Sequence, residues 1–140
     1  MSSTILAAGA VVWRKNEKKK IEVVIIHRPK YDDWTFPKGK TEIGEPLISC
    51  AHREVLEETN IESAFGPYLG EVEYSTTDGK KKVSFWSAKA IKEKEFKANA
   101  EVDQIKWVEV TKVKSLLTLD TDKKILEKFI NIELDTKPFI

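Results

Sequence analysis

The stretch from Gly39 to Ile61, GKTEIGEPLISCAHREVLEETNI, contains the pattern that decides the fold. Nothing from Pro46 to Thr59 breaks a helix, and proline is well accepted in the first helical turn. Glu54, Glu57 and Glu58 would stand three and four positions apart on this helix, where like charges repel one another. Clustered carboxylates relieve such repulsion by binding hard divalent cations.

The same helix has an apolar face. At about 100° per residue, the acids and Arg53 fall on one arc and the apolar side chains on another. We therefore expect a face centred on Ile48, Ala51 and Val55 to be buried, and Cys50 to pack as an inert thiol. A solvated acidic face is the alternative explanation for such a run of charge.

The segment before the helix, Pro37–Glu45, reads PKGKTEIGE. Glycines let the backbone approach a ligand closely, and lysines suit phosphate groups. Magnesium is typically held by a few carboxylates and bridges to substrate phosphates. A lysine-bearing loop beside a multi-carboxylate helix therefore predicts metal-assisted chemistry on a polyphosphate.

Composition limits the other possibilities. The chain has 140 residues, 41% of them hydrophobic and 34% charged, which suits a single domain over residues 1–140. The net charge of +1 provides no overall basic field for nucleic acid. One cysteine permits no disulfide within the chain, and we see neither a signal peptide nor a membrane-spanning segment. We expect a soluble, cytoplasmic protein.

The rest of the chain alternates strand-like and helix-like segments. An Asp78-Gly79 pair indicates a hairpin turn, and residues 29–44 are interpreted as loop with one short strand. Predicted strands cover residues 5–13, 21–27, 34–36, 66–76, 81–91 and 104–110, and predicted helices cover 46–59, 112–117 and about 120–132. This order favours an α+β domain over a run of βαβ units.

The 39–61 stretch resembles the Nudix box. Matching positions are Gly39, Glu45, Arg53, Glu54, Val55, Glu57, Glu58 and Ile61. The departure is Asn60, where the family has glycine. Asparagine is the next most tolerant residue of the left-handed conformation, so we expect it to end the helix. The resemblance implies an α/β/α sandwich around a mixed sheet, with Pro46–Thr59 as the catalytic helix and further helices at the C-terminus.

The resemblance also implies a metal site. It would hold Mg²⁺ or Mn²⁺, with more than one ion when substrate is bound. Glu54 and Glu58 would be the principal ligands, and Glu57 would be a further ligand or would orient the attacking water. The remaining implied members are the Gly39 carbonyl as a ligand, and Arg53 paired with Glu45 as a brace.

A later acid completes the implied set. Glu101 lies in a predicted loop before the strand that contains Trp107, and it would be a late metal ligand or the general base. Asp103 is the nearby rival, and an ordinary loop acid is the alternative.

Substrate contacts are expected from three lysines and two aromatic residues. Lys38 and Lys40 would hold outlying phosphates, and Lys82 would reach them from the 80–82 cluster, for which a solvated turn is the alternative. The resemblance to the diadenosine tetraphosphate hydrolases implies a base-stacking tyrosine at Tyr74, and Phe85 would line the same pocket, with ordinary sheet packing as the alternative. The partner tyrosine of that aromatic clamp would fall near Leu119, which is not aromatic.

These features predict a metal-dependent pyrophosphohydrolase of nucleoside polyphosphates. The resemblance implies diadenosine tetraphosphate, cleaved to ATP and AMP, as the leading substrate, and the alternative that it implies is MutT-like hydrolysis of 8-oxo-dGTP or other (d)NTPs. A catalytically silent nucleotide-sensing module is the alternative from another class. We expect a small nucleotide partner, no membrane and no specific nucleic acid, and either a monomer or a homodimer.

Overall fold

A seven-stranded mixed β-sheet forms the centre of the computed structural model, which describes residues 4–134. The order of five strands across the sheet is β3-β2-β1-β6-β5, while β4 also pairs with β1 and β7 with β2. The strands are β1 (Ile5–Lys15), β2 (Ile21–Arg28), β3 (Asp33–Thr35), β4 (Lys38–Lys40), β5 (Ile61–Thr76), β6 (Gly79–Glu93) and β7 (Gln104–Glu109). The helices are α1 (Leu47–Thr59) and α2 (Asp120–Phe129).

The two helices cover opposite faces of the sheet. Ala7 and Val11 of β1 belong to the core that includes Phe129 of α2. Ala10 and Val12, which alternate with them, pack with Val55 of α1. Alternate residues of a strand point to opposite faces, so β1 supports both layers. The sandwich confirms the predicted α+β class.

Two short strands lie in the segment that was predicted to be mostly loop. The predicted strand at residues 34–36 is β3, and β4 follows it unpredicted. β4 pairs with the first half of β1, where Gly9 stands opposite Lys38. A Cβ atom at Gly9 would lie 2.1 Å from the Pro37 carbonyl oxygen, so this approach requires glycine. β4 therefore depends on a partner far away in the sequence.

Helix α1 has the predicted ends. Pro46 precedes its first residue, and Asn60 adopts the left-handed conformation (φ 59°, ψ 29°) while donating its amide to the Leu56 carbonyl at 2.9 Å. This confirms Asn60 as the helix stop. β5 begins directly afterwards, five residues earlier than the strand predicted at residues 66–76.

The buried face of α1 is rotated from the predicted one. Ala51 and Val55 are buried as expected, and so is the Cys50 thiol, but Ile48 is 42% exposed, so its predicted place in the core is wrong. Glu54 and Glu58 are instead largely buried. The helix packs on small residues of β1 and turns its acids toward β4.

The C-terminal part matches the prediction more loosely. The short helix predicted at residues 112–117 is a single 3₁₀ turn at Val113–Ser115, and a π-helical turn at Ile130–Leu134 follows α2. Within residues 4–134, none of the helices combines the length and apolar character needed to cross a membrane. The single domain was predicted over residues 1–140, of which 1–3 and 135–140 lie outside the described range.

Candidate active site

A cleft of about 410 Å³ opens where β4, the end of β2 and the acidic side of α1 meet. It brings together acids from α1 and from the loop before β7 with cations from three other segments. Its lining residues are Arg28, Lys30, Tyr31, Lys38, Gly39, Lys40, Glu54, Glu58, Lys81, Ala100 and Glu101. Of the residues predicted to hold a metal, this cleft contains Gly39, Glu54, Glu58 and Glu101.

Arg53 organises the rim of the cleft. Its Nε and Nη2 atoms each donate to one oxygen of Glu45 at 2.8 Å, and Nη1 donates to Glu54 Oε1 at 2.7 Å. Nη2 also donates to the Lys40 carbonyl at 3.1 Å. The hydrogen bonds from Arg53 lower the pKa of Glu45 to about 2. The predicted brace is thus a two-pronged ion pair that also contacts the helix acids.

Glu58 lies in the opposite environment. Its side chain is nearly buried, and its Oε1 accepts the Lys38 backbone amide at 2.8 Å. Burial, with a further contribution from the charge of Glu54, raises the pKa of Glu58 to about 8. Burial also raises the pKa of Glu54, although its bond from Arg53 opposes this. A further cation in the cleft would therefore favour the ionised form of both acids.

Gly39 provides the space for Glu54. A Cβ atom at Gly39 would lie 2.1 Å from the Glu54 carboxyl carbon, and that carbon belongs to a side chain already fixed by Arg53. The Gly39 carbonyl accepts a weak hydrogen bond from Cys50 Sγ at 3.4 Å. A side chain at position 39 would displace the Glu54 carboxylate, so glycine lets this carboxylate pack directly against the backbone.

The donor chemistry fits a divalent cation. The acids are hard oxygen donors, and two of them are buried with raised pKa values. Glu57 lies outside the cleft but borders an adjoining recess of about 330 Å³ together with Glu58 and Glu101. Among residues 4–134, no three acid, histidine or cysteine side chains already converge into a ligand set. A cation would therefore have to draw these carboxylates toward itself.

The predicted phosphate contacts divide into three cases. Lys40 is exposed at the cleft, in a position to meet a phosphate. The Lys38 ammonium is buried 3.9 Å from Asp122 and does not point into the open cleft. Lys82 is corrected to its neighbour Lys81, because alternate residues of β6 face opposite sides and Lys81 is the one that lines the cleft.

The predicted base contacts also differ from each other. Tyr74 is half-buried beneath two ammonium groups, with Lys38 Nζ 5.2 Å and Lys81 Nζ 5.9 Å from its ring centroid. Phe85 is corrected to a core residue, because it is fully buried and packs edge-to-face on Phe36. No base can reach Phe85 in this arrangement.

Glu101, rather than its rival Asp103, reaches the cleft. The Glu101 backbone amide donates to Asn99 Oδ1 at 2.8 Å, which fixes the turn that presents it opposite α1. Asp103 is instead bonded to His27 Nδ1 at 2.7 Å, while His27 Nε2 contacts Asp32 at 2.8 Å. The two carboxylates raise the pKa of His27.

Sequence reasoning missed the cations and the tyrosine at the end of β2 and just after it. Arg28 forms a two-pronged pair with Asp33 at 2.9 and 2.6 Å, and its guanidinium lies 4.4 Å above the Tyr31 ring. Lys30 and Tyr31 complete this side of the cleft. Basic and aromatic residues placed immediately after a buried strand were the available signal.

Comparison with known proteins identifies the family of the chain and two curated relatives. A model of the NUDIX domain matches residues 4–129. The chain is 39% identical to an 8-oxo-(d)GTP phosphatase of Mycolicibacterium smegmatis over 96% of its own length and 44% of that protein's. It is 31% identical to a putative mutator protein MutT4 of Mycobacterium tuberculosis over 67% and 40% of the two lengths. The chain spans less than half the length of these curated relatives.

Solved structures show the same architecture. A binary complex of a C. elegans Ap4A hydrolase superposes with a TM-score of 0.82 at 27% identity, over 91% of this chain and 96% of that one. A MutT protein from Methanosarcina mazei Go1 gives a TM-score of 0.75 at 24% identity over 93% and 95%, which supports the fold alone.

Proposed function

The chain belongs to the NUDIX domain family, and from that premise we propose that it is a metal-dependent pyrophosphohydrolase that cleaves a phosphoanhydride bond of a nucleoside polyphosphate. The observation that carries the proposal is the pair of buried carboxylates, Glu54 and Glu58, in a cleft that also contains Lys40 and Lys81. Buried acids with raised pKa values suit a cation, and the lysines suit the phosphates of the same ligand.

Glu54, Glu58 and the Gly39 carbonyl would hold a divalent cation such as Mg²⁺, with Glu57 as a further ligand or as the group that orients the attacking water. A cation held there neutralises charge on the phosphates and makes water a better nucleophile. Arg53 keeps Glu54 in place and is itself held by Glu45.

Glu101 is proposed as the general base. It lies across the cleft from α1 and shows no bond to a basic side chain among the described residues. It would take a proton from water as the water oxygen bonds to phosphorus and the bridging oxygen leaves with its electron pair. Lys40 and Lys81 would bind the outlying phosphates, and Arg28 and Lys30 border the same space.

We propose two candidate substrates and rank them by the support that each has. An oxidised guanine nucleotide such as 8-oxo-dGTP comes first, because the relative named for that class of substrate is 39% identical across nearly the whole chain. Leu119 also leaves the aromatic clamp of a dinucleoside site incomplete. Diadenosine tetraphosphate comes second. It is supported by the similarity to an Ap4A hydrolase and by several cations in one cleft, which suit a long phosphate chain.

A substrate panel with Mg²⁺, analysed by chromatography, tests the proposal. We expect 8-oxo-dGTP to be turned over with a higher kcat/KM than dGTP, and diadenosine tetraphosphate to give ATP and AMP if the second candidate is right. Glu101→Gln should lower kcat at least tenfold, whereas the loop control Glu95→Gln should not. Tight nucleotide binding without hydrolysis of any substrate would overturn the proposal in favour of a sensor.

Neighbouring lysines provide a matched test of the phosphate contacts. Lys81→Ala should raise KM several-fold because it removes a cation that lines the cleft. Lys82→Ala changes the same charge on the other face of β6 and should leave KM near the wild-type value. Equal effects of the two variants would contradict a local phosphate contact.

A further inference from the structure

Lys38 and Asp122 form an unusual pair inside the protein. The Lys38 side chain is 2% exposed and the Asp122 side chain 0%, and Nζ lies 3.9 Å from Oδ1. Neither the ammonium nor either carboxylate oxygen makes a hydrogen bond to any residue between 4 and 134. The nearby Phe36 amide favours the carboxylate but lies outside hydrogen-bond geometry. The two charges therefore depend chiefly on each other.

Other charges nearby do not replace this partnership. Arg28 is close enough to influence Asp122, but its guanidinium is engaged by Asp33 at 2.9 and 2.6 Å. Lys38 Nζ also lies over the Tyr74 ring at 5.2 Å, which adds a weaker attraction. Removing one member of a buried pair strands the other charge, which is usually much more costly than removing both.

Lys38 contacts both layers of the sandwich. Its side chain reaches Asp122 in the first turn of α2, while its backbone amide donates to Glu58 of α1 at 2.8 Å. It belongs to the three-residue strand β4, so a shift of the side chain is readily transmitted to its own amide. The close approach of Gly9, whose added Cβ would lie 2.7 Å from Lys38 Cβ, limits where this strand can move.

We infer that Asp122 is a positioning residue that acts through Lys38 to hold the backbone amide that orients Glu58. The inference rests on the proposed function, since Glu58 matters to catalysis only if it helps to hold the cation. Without the Asp122 charge, the buried ammonium has no counter-charge and leaves the interior, and β4 moves with it. The amide then no longer meets Glu58.

Amide hydrogen exchange in the metal-free protein tests this coupling directly. In Asp122→Asn we expect the Lys38 amide to exchange at least tenfold faster than in the wild type. The Val110 amide, bonded to the Ile21 carbonyl at 2.9 Å in another part of the sheet, should be unchanged. Asp120→Asn is the matched control, because Asp120 lies in the same first turn with its side chain 92% exposed.

Removing both charges provides the rescue. The double variant Lys38→Met with Asp122→Leu replaces a buried ion pair by apolar side chains of similar size, an exchange that is often neutral or stabilising. Asp122→Asn should lower kcat several-fold, and in the double variant we expect slow exchange at position 38 and most of that kcat to return. Lys38→Met alone should loosen the amide, and it provides the single-charge test if Asp122→Asn does not fold.

The outcomes separate this inference from the proposed function. If the backbone amide at position 38 exchanges at the wild-type rate in folded Asp122→Asn, or in Lys38→Met, the coupling is overturned. A folded double variant that stays as inactive as the single one also overturns it, because the side chains would then act on the substrate themselves. If the wild-type protein hydrolyses no nucleotide, the proposed function fails, while the exchange data still decide the coupling.

Discussion

Glu45 and Glu58 stand at opposite ends of one carboxylate cluster, and they differ in burial and in their charged neighbours. Glu45 accepts two hydrogen bonds from Arg53 at the rim, and its pKa falls to about 2. Glu58 is buried beside Glu54 with one backbone amide as donor, and its pKa rises to about 8. Both residues are glutamates, so their neighbours alone cause the difference. The Glu45 charge is paired with Arg53, whereas a Glu58 charge would lack a bonded cation within residues 4–134.

Glu54 lies between these two extremes. One of its oxygens accepts from Arg53 at 2.7 Å, yet burial still raises its pKa. The cluster is therefore graded from the rim inward, and its inner end has the greatest need of a cation. Changes at the inner end should affect activity most, and changes at the outer end should affect both activity and stability.

Glu58→Gln removes the innermost carboxylate charge and should have the largest effect. The amide keeps the size of the side chain but removes the charge that would hold a cation, so turnover should fall by orders of magnitude while the fold survives. Glu54→Gln should behave similarly. Activity assays with Mg²⁺ and thermal unfolding measure the two properties.

The exposed acid Glu62, paired with Lys94 at 3.2 Å, supplies the control for that experiment. Glu62→Gln should keep normal turnover. Near-normal Mg²⁺-dependent activity in both Glu54→Gln and Glu58→Gln would rule out the assigned ligands.

Arg53→Lys disrupts the ion pair with Glu45 at the outer end of the carboxylate cluster and should have an intermediate effect on turnover. Lysine keeps the charge but cannot reproduce the two parallel bonds to Glu45 together with the bond to Glu54. We expect turnover to fall roughly ten- to a hundredfold, by loss of alignment of the order that single positioning contacts provide. The melting temperature should fall as well, which distinguishes this variant from Glu58→Gln. Unchanged stability would show that the brace is not structural.

The pH dependence of the free energy of unfolding tests the same contrast through stability alone. In metal-free protein, unfolded Glu58 releases its proton above its ordinary value of 4.5, whereas folded Glu58 keeps it to about 8. The folded state then binds more protons, so Glu58 makes the free energy of unfolding fall with rising pH across that window, with a one-proton limit of about 1.4 kcal/mol per pH unit. Glu45 acts in the opposite sense, and its contribution is lost only as the pH falls from 4.5 toward about 2.

Chemical denaturation of the wild type and of Glu58→Gln at pH 5, 6.5 and 8, with a chelator present, measures this slope. Subtracting the free energy of unfolding of one protein from that of the other at each pH removes the contribution of His27, which is common to both. Parallel curves would contradict the raised pKa of Glu58.

Local chemistry made the ends of α1 predictable. Pro46 and Asn60 act through their own backbone preferences, so the sequence alone located the helix and its stop. The rotation of the helix was not predictable, because it depends on small β1 residues that leave room for buried carboxylates while Ile48 stays exposed.

The errors within the site have a related physical origin. β4 was missed because its pairing depends on Gly9, about thirty positions earlier. Lys82 was chosen over Lys81 because strand facing changes with every residue, and only the sheet register fixes it. The box acids were predicted from local spacing, whereas the cations around them come from segments that only the fold brings together.

The buried Cys50 has a practical consequence for experiments. It is the single cysteine of the chain, and burial raises the pKa of its thiol to about 11, so it will be a poor target for maleimides at neutral pH. A cysteine introduced at Ile43, a fully exposed residue between β4 and α1 that does not line the cleft, could then be labelled with a fluorophore or spin label without first removing the native one. The protein thus permits optical or magnetic reporting of nucleotide arrival at an otherwise unaltered site.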